Sequence, residues 1–286
     1  MMQVVYDIET YPNIFCLVAV RLDTDEQWTF EISARRNDLT DMLLWLDGLS
    51  ALGGEMIGFN NLGFDYPVIH EIMVNPQCRT AAAIYFKAMS IIGSQDRFGS
   101  TIWPSDRRVP QLDMFKIHHF DNMARSTGLK ALQFNMRSES VEDLPFPVGI
   151  PLAPDQMDTL VRYCLHDVTE TKAFALKSNE AIDLRRALTI KYDRDFMNHN
   201  DTKIGKDYLI MCLGEDVCYT KVAGRRQPAL ASTAKAGSAT CNSGGMSNRS
   251  GSGCVGSSCG CSFGSRQPRQ QWHGEQQQSC DSTRQH

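Results

Sequence analysis

The chain has 286 residues, 42% of them hydrophobic, with 29 Lys+Arg against 33 Asp+Glu and a formal net charge of −4. That length exceeds what one compact domain usually needs and falls short of two. No apolar stretch is long enough to cross a bilayer and the N-terminus carries no signal-peptide pattern, which excludes a membrane-spanning protein and sets the expectation of a cytosolic one.

The β-branched run Gln3-Val4-Val5-Tyr6-Asp7-Ile8-Glu9-Thr10 predicts a strand over residues 3–9. Side chains alternate along a strand, so Asp7 and Glu9 share one face while Tyr6 and Ile8 take the other. Two carboxylates side by side repel each other, and a hard divalent ion with oxygen ligands removes that cost. Standing alone, an Asp-x-Glu is more often a solvent-exposed strand end.

Further strands are expected over residues 14–22 and 27–32, then a helix over 38–50 and a strand over 55–59, through Met56-Ile57-Gly58-Phe59. Helical apolar spacing follows over 64–74, with Pro67 in the first turn, where a missing N–H is tolerated. Asp65 is then an N-cap, a metal-facing acid at the C-terminal edge of a sheet, or both. Asn61 and Phe64 flank it and could touch a substrate base or sugar; their alternatives are turn former and core aromatic. Between residues 75 and 125 the sequence does not settle whether an ordered insertion exists. Trp103-Pro104, Arg107-Arg108 and Lys116 could line a strand channel there, or belong to a solvated loop.

Helices are expected near 126–134, 154–178 and 180–190. The longest starts at Ala153-Pro154-Asp155 and runs through Met157, Leu160, Val161, Cys164, Leu165 and Val168 to Leu176. Residues four apart lie one turn above each other, so Tyr163 and Asp167 project from a single face, expected to be the polar one. A phenol and a carboxylate can then reach the same small volume.

After Val222 the apolar pattern stops. From Gly224 to His286 the chain is dominated by Gly, Ser, Gln, Ala, Arg and Cys, too little apolar surface to offset ordering entropy, and disorder is expected. The division falls between a domain of residues 1–221 and a tail of residues 222–286. The tail holds seven Lys+Arg against two Asp+Glu and leaves 22 against 31 in the body. Its attraction for phosphate would be weak and salt-sensitive. Cys16, Cys78, Cys164, Cys212 and Cys218 are widely spaced in the body, as expected of reduced thiols, most of them buried. In the tail, Cys254, Cys259, Cys261, His273 and Cys280 lack the Cys-x2-Cys spacing of a structural zinc site.

Taken together, Asp7-Ile8-Glu9-Thr10, Asn61-Leu62-Gly63-Phe64-Asp65 and Tyr163-Cys164-Leu165-His166-Asp167 resemble the three exonuclease motifs of the DEDD superfamily, in the subclass with tyrosine in the third motif. Over roughly residues 3–220, Gly128-Leu129-Lys130-Ala131-Leu132 and Asn198-His199-Asn200-Asp201-Thr202-Lys203-Ile204-Gly205 add a similarity to the N-terminal proofreading portion of phage-type DNA polymerases. The resemblance implies an α/β, ribonuclease H-like fold, a mixed sheet flanked by helices. It implies a 3′–5′ exonuclease in which Asp7, Glu9, Asp65 and Asp167 hold two divalent ions, Mg2+ or Mn2+, and Tyr163 orients the attacking water. Thr10 would contact the terminal nucleotide, and it is equally readable as an ordinary strand-end threonine. His166 is a poor base, because the related histidine subclass has its histidine five residues before the acid, where this chain has Arg162.

The partner implied is single-stranded DNA or a frayed 3′ end, with a polymerase or another replication protein beside it, in the cytoplasm of a phage-infected bacterium. Phage-type polymerases continue beyond an Ala-Gly-Arg-Arg segment into palm and fingers, whereas nothing after Arg226 resembles those domains. The expectation is a truncated or frameshifted polymerase gene product, or a fragment ending in unrelated coding sequence. Two other readings stay open: an exoribonuclease, since the same acids serve both polymers, and a non-catalytic nucleic-acid-binding module of the same fold.

Overall fold

The computed structural model describes residues 2–96, 99–119, 127–222 and 225–228. Its centre is a five-stranded mixed sheet. Strands β1 (Gln3–Tyr11), β2 (Ile14–Arg21) and β3 (Gln27–Ser33) form an antiparallel meander, and β4 (Glu55–Gly58) and β5 (Gln111–Asp113) run parallel to β1, giving the order β3-β2-β1-β4-β5. This is the expected ribonuclease H-like α/β architecture. The turn from β1 to β2 is only Pro12-Asn13, because Tyr11 pairs with Ile14. Proline presets the φ that such a turn needs. The Asn13 side chain then donates to the Leu152 carbonyl and accepts from the Leu152 N–H, both at 2.8 Å, tying the turn to the approach of the longest helix.

Alternation along the strands builds two cores. Val4, Tyr6 and Ile8 of β1, with Phe15, Leu17 and Ala19 of β2, pack beneath helices α1 (Leu39–Ala51), α2 (Asp65–Val74) and α3 (Ala81–Gly93). Val5, Tyr11, Ile14, Cys16 and Val18 face the other way, onto Met157, Leu160, Cys164, Val168 and Ala175 of the 24-residue helix. A sheet covered on both faces reads as nearly continuous apolar strands, and β2 is buried at every position but its last.

The rest of the described chain completes this frame. Helices α4 (Met114–His118) and α5 (Leu129–Met136) precede α6 (Pro154–Lys177), which is followed by α7 (Asn179–Tyr192), α8 (Asp201–Leu213) and α9 (Glu215–Cys218). Pro154 opens α6, and the Gln156 side chain accepts from the Ala153 N–H at 2.8 Å, so its start is capped from within. A hairpin of β6 (Tyr219–Val222) and β7 (Arg225–Pro228) straddles residue 221, where the sequence placed the end of the domain. The tail expectations for residues 229–286, disorder and the unfavourable zinc spacing included, lie outside the described residues.

Predicted elements agree with the observed ones to within a few residues, except that α5 starts at Leu129, while the residues just before Thr127 lie outside the described ones. The open stretch 75–125 contains α3, β5 and α4. Strand β5 escapes periodicity because three residues are too few to show alternation. Cys16, Cys78 and Cys164 are buried free thiols, whereas Cys212 is exposed and Cys218 is half-exposed. Among the described residues no helix is long and apolar enough to cross a membrane.

The C-terminal helices are locked on by Arg185, a fully buried arginine. Its Nε donates to the His199 carbonyl (2.7 Å), Nη1 to that of Ala181 (2.7 Å), and Nη2 to the Ile117 carbonyl (3.0 Å) and the Asp201 carboxylate (2.9 Å). Arg185→Met keeps the aliphatic bulk but takes the side-chain donor from the His199 and Ile117 carbonyls, and each buried orphan costs about 1–3 kcal/mol. Urea unfolding of the variant should show a loss of at least that size, with α8 and its flanking turn released first in hydrogen exchange.

Candidate metal centre

Asp7 and Glu9 stand on the face of β1 that meets α6, as alternation requires. Asp167 comes down from α6 onto the same point, and one carboxylate oxygen from each of the three lies within 4.8 Å of the others. All three are half-buried. Asp65 joins them from the turn after β4. It is 6% exposed, hydrogen-bonds with the Asp7 carboxyl, and also accepts from the backbone of Ile8. The four acids foreseen from sequence are therefore brought together from β1, the β4–α2 turn and α6.

The N-cap position of α2 is taken by Phe64, so Asp65 is the first helical residue and its side chain turns to the acids instead of capping. Gly58 and Asn60 make the turn possible. A Cβ on Gly58 would stand 2.6 Å from the Asn61 Cβ, and Asn60 adopts φ +60°, a left-handed conformation that asparagine tolerates.

Crowding of like charges out of water pushes the whole set upward. Burial first, then the neighbouring Asp65, Glu9 and Asp167, hold the Asp7 carboxyl well above the usual carboxylate range. Burial and Asp167 raise Glu9 to about 8. Burial also raises Asp65 to about 7, against the backbone and Asp7 hydrogen bonds that favour its anion. Asp167 rises for the same first reason, opposed by hydrogen bonds from Tyr163 and Gln133. Oxygen-only donors that repel one another this strongly are the donor set a hard divalent cation takes. Asp7, Glu9 and Asp167 could hold a metal ion.

Tyr163 projects from a face of α6 distinct from the apolar one, and that face is buried: Tyr163 is only 7% exposed, because it turns toward the acids and not to solvent. The phenol hydrogen-bonds to Asp167, and burial with the surrounding acids holds its pKa above the ordinary tyrosine value. Thr10 sits one residue beyond Glu9 and so on the opposite face of β1; its Oγ1 is buried with no hydrogen-bond partner among the described residues. Phe64 is half-buried against the core beneath α1–α3. Asn61 is fully buried, and its Nδ2 donates to Gln111 Oε1 at 2.9 Å, so the side chain points into the sheet and away from any exposed surface.

His166 lies 3.9 Å from Glu142 through its Nδ1, and its charge favours the Asp167 anion. Of the channel candidates, Trp103 is 57% exposed, Arg107 and Arg108 precede β5, and Lys116 lies in α4 beside Asp113.

Three further groups were not singled out in the sequence. Gln133 of α5 is fully buried and donates from Nε2 to Asp167 Oδ1 at 3.3 Å. Lys130, one turn earlier, lowers the pKa of both Glu9 and Asp167 while pairing with Asp143 at 2.5 Å. Asp113 ends β5 and is fully buried, raised by that burial to about 6. An Asp between an apolar strand residue and a helix start is a recognisable N-cap signal. The polar residues of α5 carry none, since only packing shows which of them is inside.

No protein-family model matches the chain, and no curated protein matches it. Among solved structures the chain is similar to the family B DNA polymerase from the hyperthermophilic archaeon Pyrobaculum calidifontis, with 20% identity and a TM-score of 0.39 over 62% of this chain and 24% of that one. The chain thus spans about a quarter of that polymerase's length. A likeness of this size says nothing about activity.

The raised carboxyls couple stability to pH. In the folded state they keep protons that the unfolded chain releases near pH 4, so without cations stability falls as pH rises from there through the folded values of about 7 and about 8. A divalent cation replaces those protons and stabilises by mass action. In chelator the thermal midpoint should be lower at pH 8 than at about pH 5, and millimolar Mn2+ should raise it more at the higher pH. A midpoint indifferent to Mn2+ at both pH values would count against a cation site.

Proposed function

We propose that this chain is a metal-dependent 3′–5′ exonuclease that releases nucleoside 5′-monophosphates from DNA 3′ ends, the proofreading part of a phage-type DNA polymerase. The observation that carries this reading is the convergence of carboxylate oxygens from Asp7, Glu9 and Asp167 within 4.8 Å, with Asp65 bonded to Asp7 and Tyr163 to Asp167. Two divalent cations, Mg2+ or Mn2+, held by the four acids supply the Lewis acidity that phosphodiester hydrolysis needs near neutral pH.

The protein's own groups do the positioning. Asp7 and Glu9 are fixed by a strand in the middle of the sheet, so their oxygens cannot drift apart. Tyr163 keeps its proton, because burial and the acids around it disfavour the phenolate. Its role is therefore to orient a water by hydrogen bonding and not to take the proton. Phe64, at the start of α2, contacts the terminal nucleotide, while Asn61 supports the turn from beneath. The substrate is single-stranded DNA or a frayed 3′ end, with a polymerase or replication protein as partner in the cytoplasm of an infected bacterium.

Incubation of 5′-labelled single-stranded DNA with Mg2+ should give a ladder shortening from the 3′ end. Asp7→Ala should abolish it. Tyr163→Phe should slow it by about 10²–10⁴-fold or less, the range of a positioned group acting on the water. Equal cutting by the Asp7→Ala protein would defeat the assignment. Cleavage of RNA with DNA spared would favour an exoribonuclease, and binding without cleavage a non-catalytic module.

A further inference from the structure

We propose that Asp113 is a positioning residue of this site: its buried carboxylate grips the backbone of the β4–α2 turn and thereby sets where Asp65 meets Asp7. The inference rests on the reading of the four acids as a cation site and adds to it a residue that touches none of the reacting atoms.

The two oxygens of Asp113 accept from four backbone N–H groups. Oδ1 takes those of Phe115 (2.9 Å) and Lys116 (3.3 Å), which caps α4, and also that of Asn60 (2.9 Å); Oδ2 takes that of Leu62 (3.2 Å). Capping a helix needs only one oxygen, and serine or threonine does it without burying a charge. The bond from Leu62 is what the second oxygen adds, while the bond from Asn60 shares Oδ1 with the cap. A serine or threonine hydroxyl has no second oxygen with which to accept from Leu62.

Besides its own backbone bonds, Gly63 N–H to the Asn60 carbonyl at 2.9 Å and Tyr66 N–H to the Asn61 carbonyl at 2.8 Å, the turn is held from β5. Asn60 and Gly63 are exposed, Leu62 is half-buried, and Asn60 stands at φ +60°. Its other anchor, Asn61 Nδ2 to Gln111 Oε1, also ends on β5. So both ends of this three-residue strand serve the turn that delivers Asp65. The strand is itself clamped from outside: Asn198 Oδ1 accepts from the Asp113 N–H at 2.7 Å, and Asn198 Nδ2 donates to the Gln111 carbonyl at 2.9 Å. From Asp113 the chain of contacts runs through Asn60 and Leu62 to Asp65, and from Asp65 to Asp7.

The test compares the full chain with Asp113→Asn, which keeps size and one acceptor but sets an NH2 against an N–H. Amide exchange at Asn60 and Leu62 should accelerate, and Mn2+ affinity, read by titration of the folded protein, should fall about 10–100-fold, as when an outer hydrogen-bond partner of a metal ligand is removed. In cleavage of a single-stranded oligonucleotide, kcat should fall and KM hold. A variant with the exchange and the Mn2+ affinity of the natural chain overturns the inference, even if its thermal midpoint drops, because a lowered midpoint alone marks a structural acid. Should the variant not fold, exchange in the natural chain decides: slowed amides at exposed Asn60 and half-buried Leu62 support the grip, and free exchange at both overturns it. A natural chain that binds Mn2+ but cuts neither DNA nor RNA would sink the nuclease reading, and the Asp113 inference would still be decided by exchange and Mn2+ affinity.

Discussion

Like charges gathered in a half-buried hollow raise each other's pKa, so Asp7, Glu9, Asp65 and Asp167 stay together in the folded chain only where protons or cations occupy the space between their oxygens. Lys130 eases that repulsion at Glu9 and Asp167 while paired with Asp143, and His166 eases it at Asp167, yet the carboxyls remain raised. Relief by a hard divalent ion follows from the donor set, and with it the affinity for phosphate oxygens on which the proposed chemistry depends.

The fold makes this arrangement rigid by giving each acid a different support. Asp113 ends β5, Asp65 follows the turn after β4, and Asp7 and Glu9 lie in the part of β1 beyond its pairing with β4, at the side where open α/β sheets bind ligands. Helix α6 crosses the same face, with Leu160, Cys164 and Val168 sunk in the core and Tyr163 and Asp167 carried to the acids. Around this centre stands a ring of neutral or satisfied polar groups. Gln133 holds Asp167, Asp113 holds the turn before Asp65, and Asn198 holds β5. Asp113, whose two oxygens accept four backbone bonds, specifies one geometry for the turn, and an acid cluster needs that precision.

Much of the centre was legible residue by residue. The pairing of Asp7 with Glu9 follows from strand alternation, and that of Tyr163 with Asp167 from helical spacing, because both periods are fixed by backbone geometry. The Tyr163 face is distinct from the apolar one, as helical spacing indicates, but amphipathic pattern does not tell solvent from a buried acidic hollow. Asn61 fits a motif by spacing, yet whether its amide meets Gln111 or faces outward depends on where β5 lies, and β5 is too short to be seen in the sequence. Gln133 and Asp113 were passed over for the same kind of reason: a polar residue reveals itself as buried only when its neighbours are known.

What the sequence alone determined was the identity of the acids, their local facing, and the alternation of strands and helices that yields a sheet covered on both sides. Tertiary structure alone decided that Asp167 of α6 meets Asp7 and Glu9 of β1, that Asp65 leaves the cap of α2 to join them, and that a buried carboxylate on β5 holds the intervening turn. The physical reason is range. Backbone stereochemistry sets the direction of a side chain relative to neighbours a few residues away, whereas a contact between residues more than a hundred positions apart is set by how two cores pack on opposite faces of one sheet.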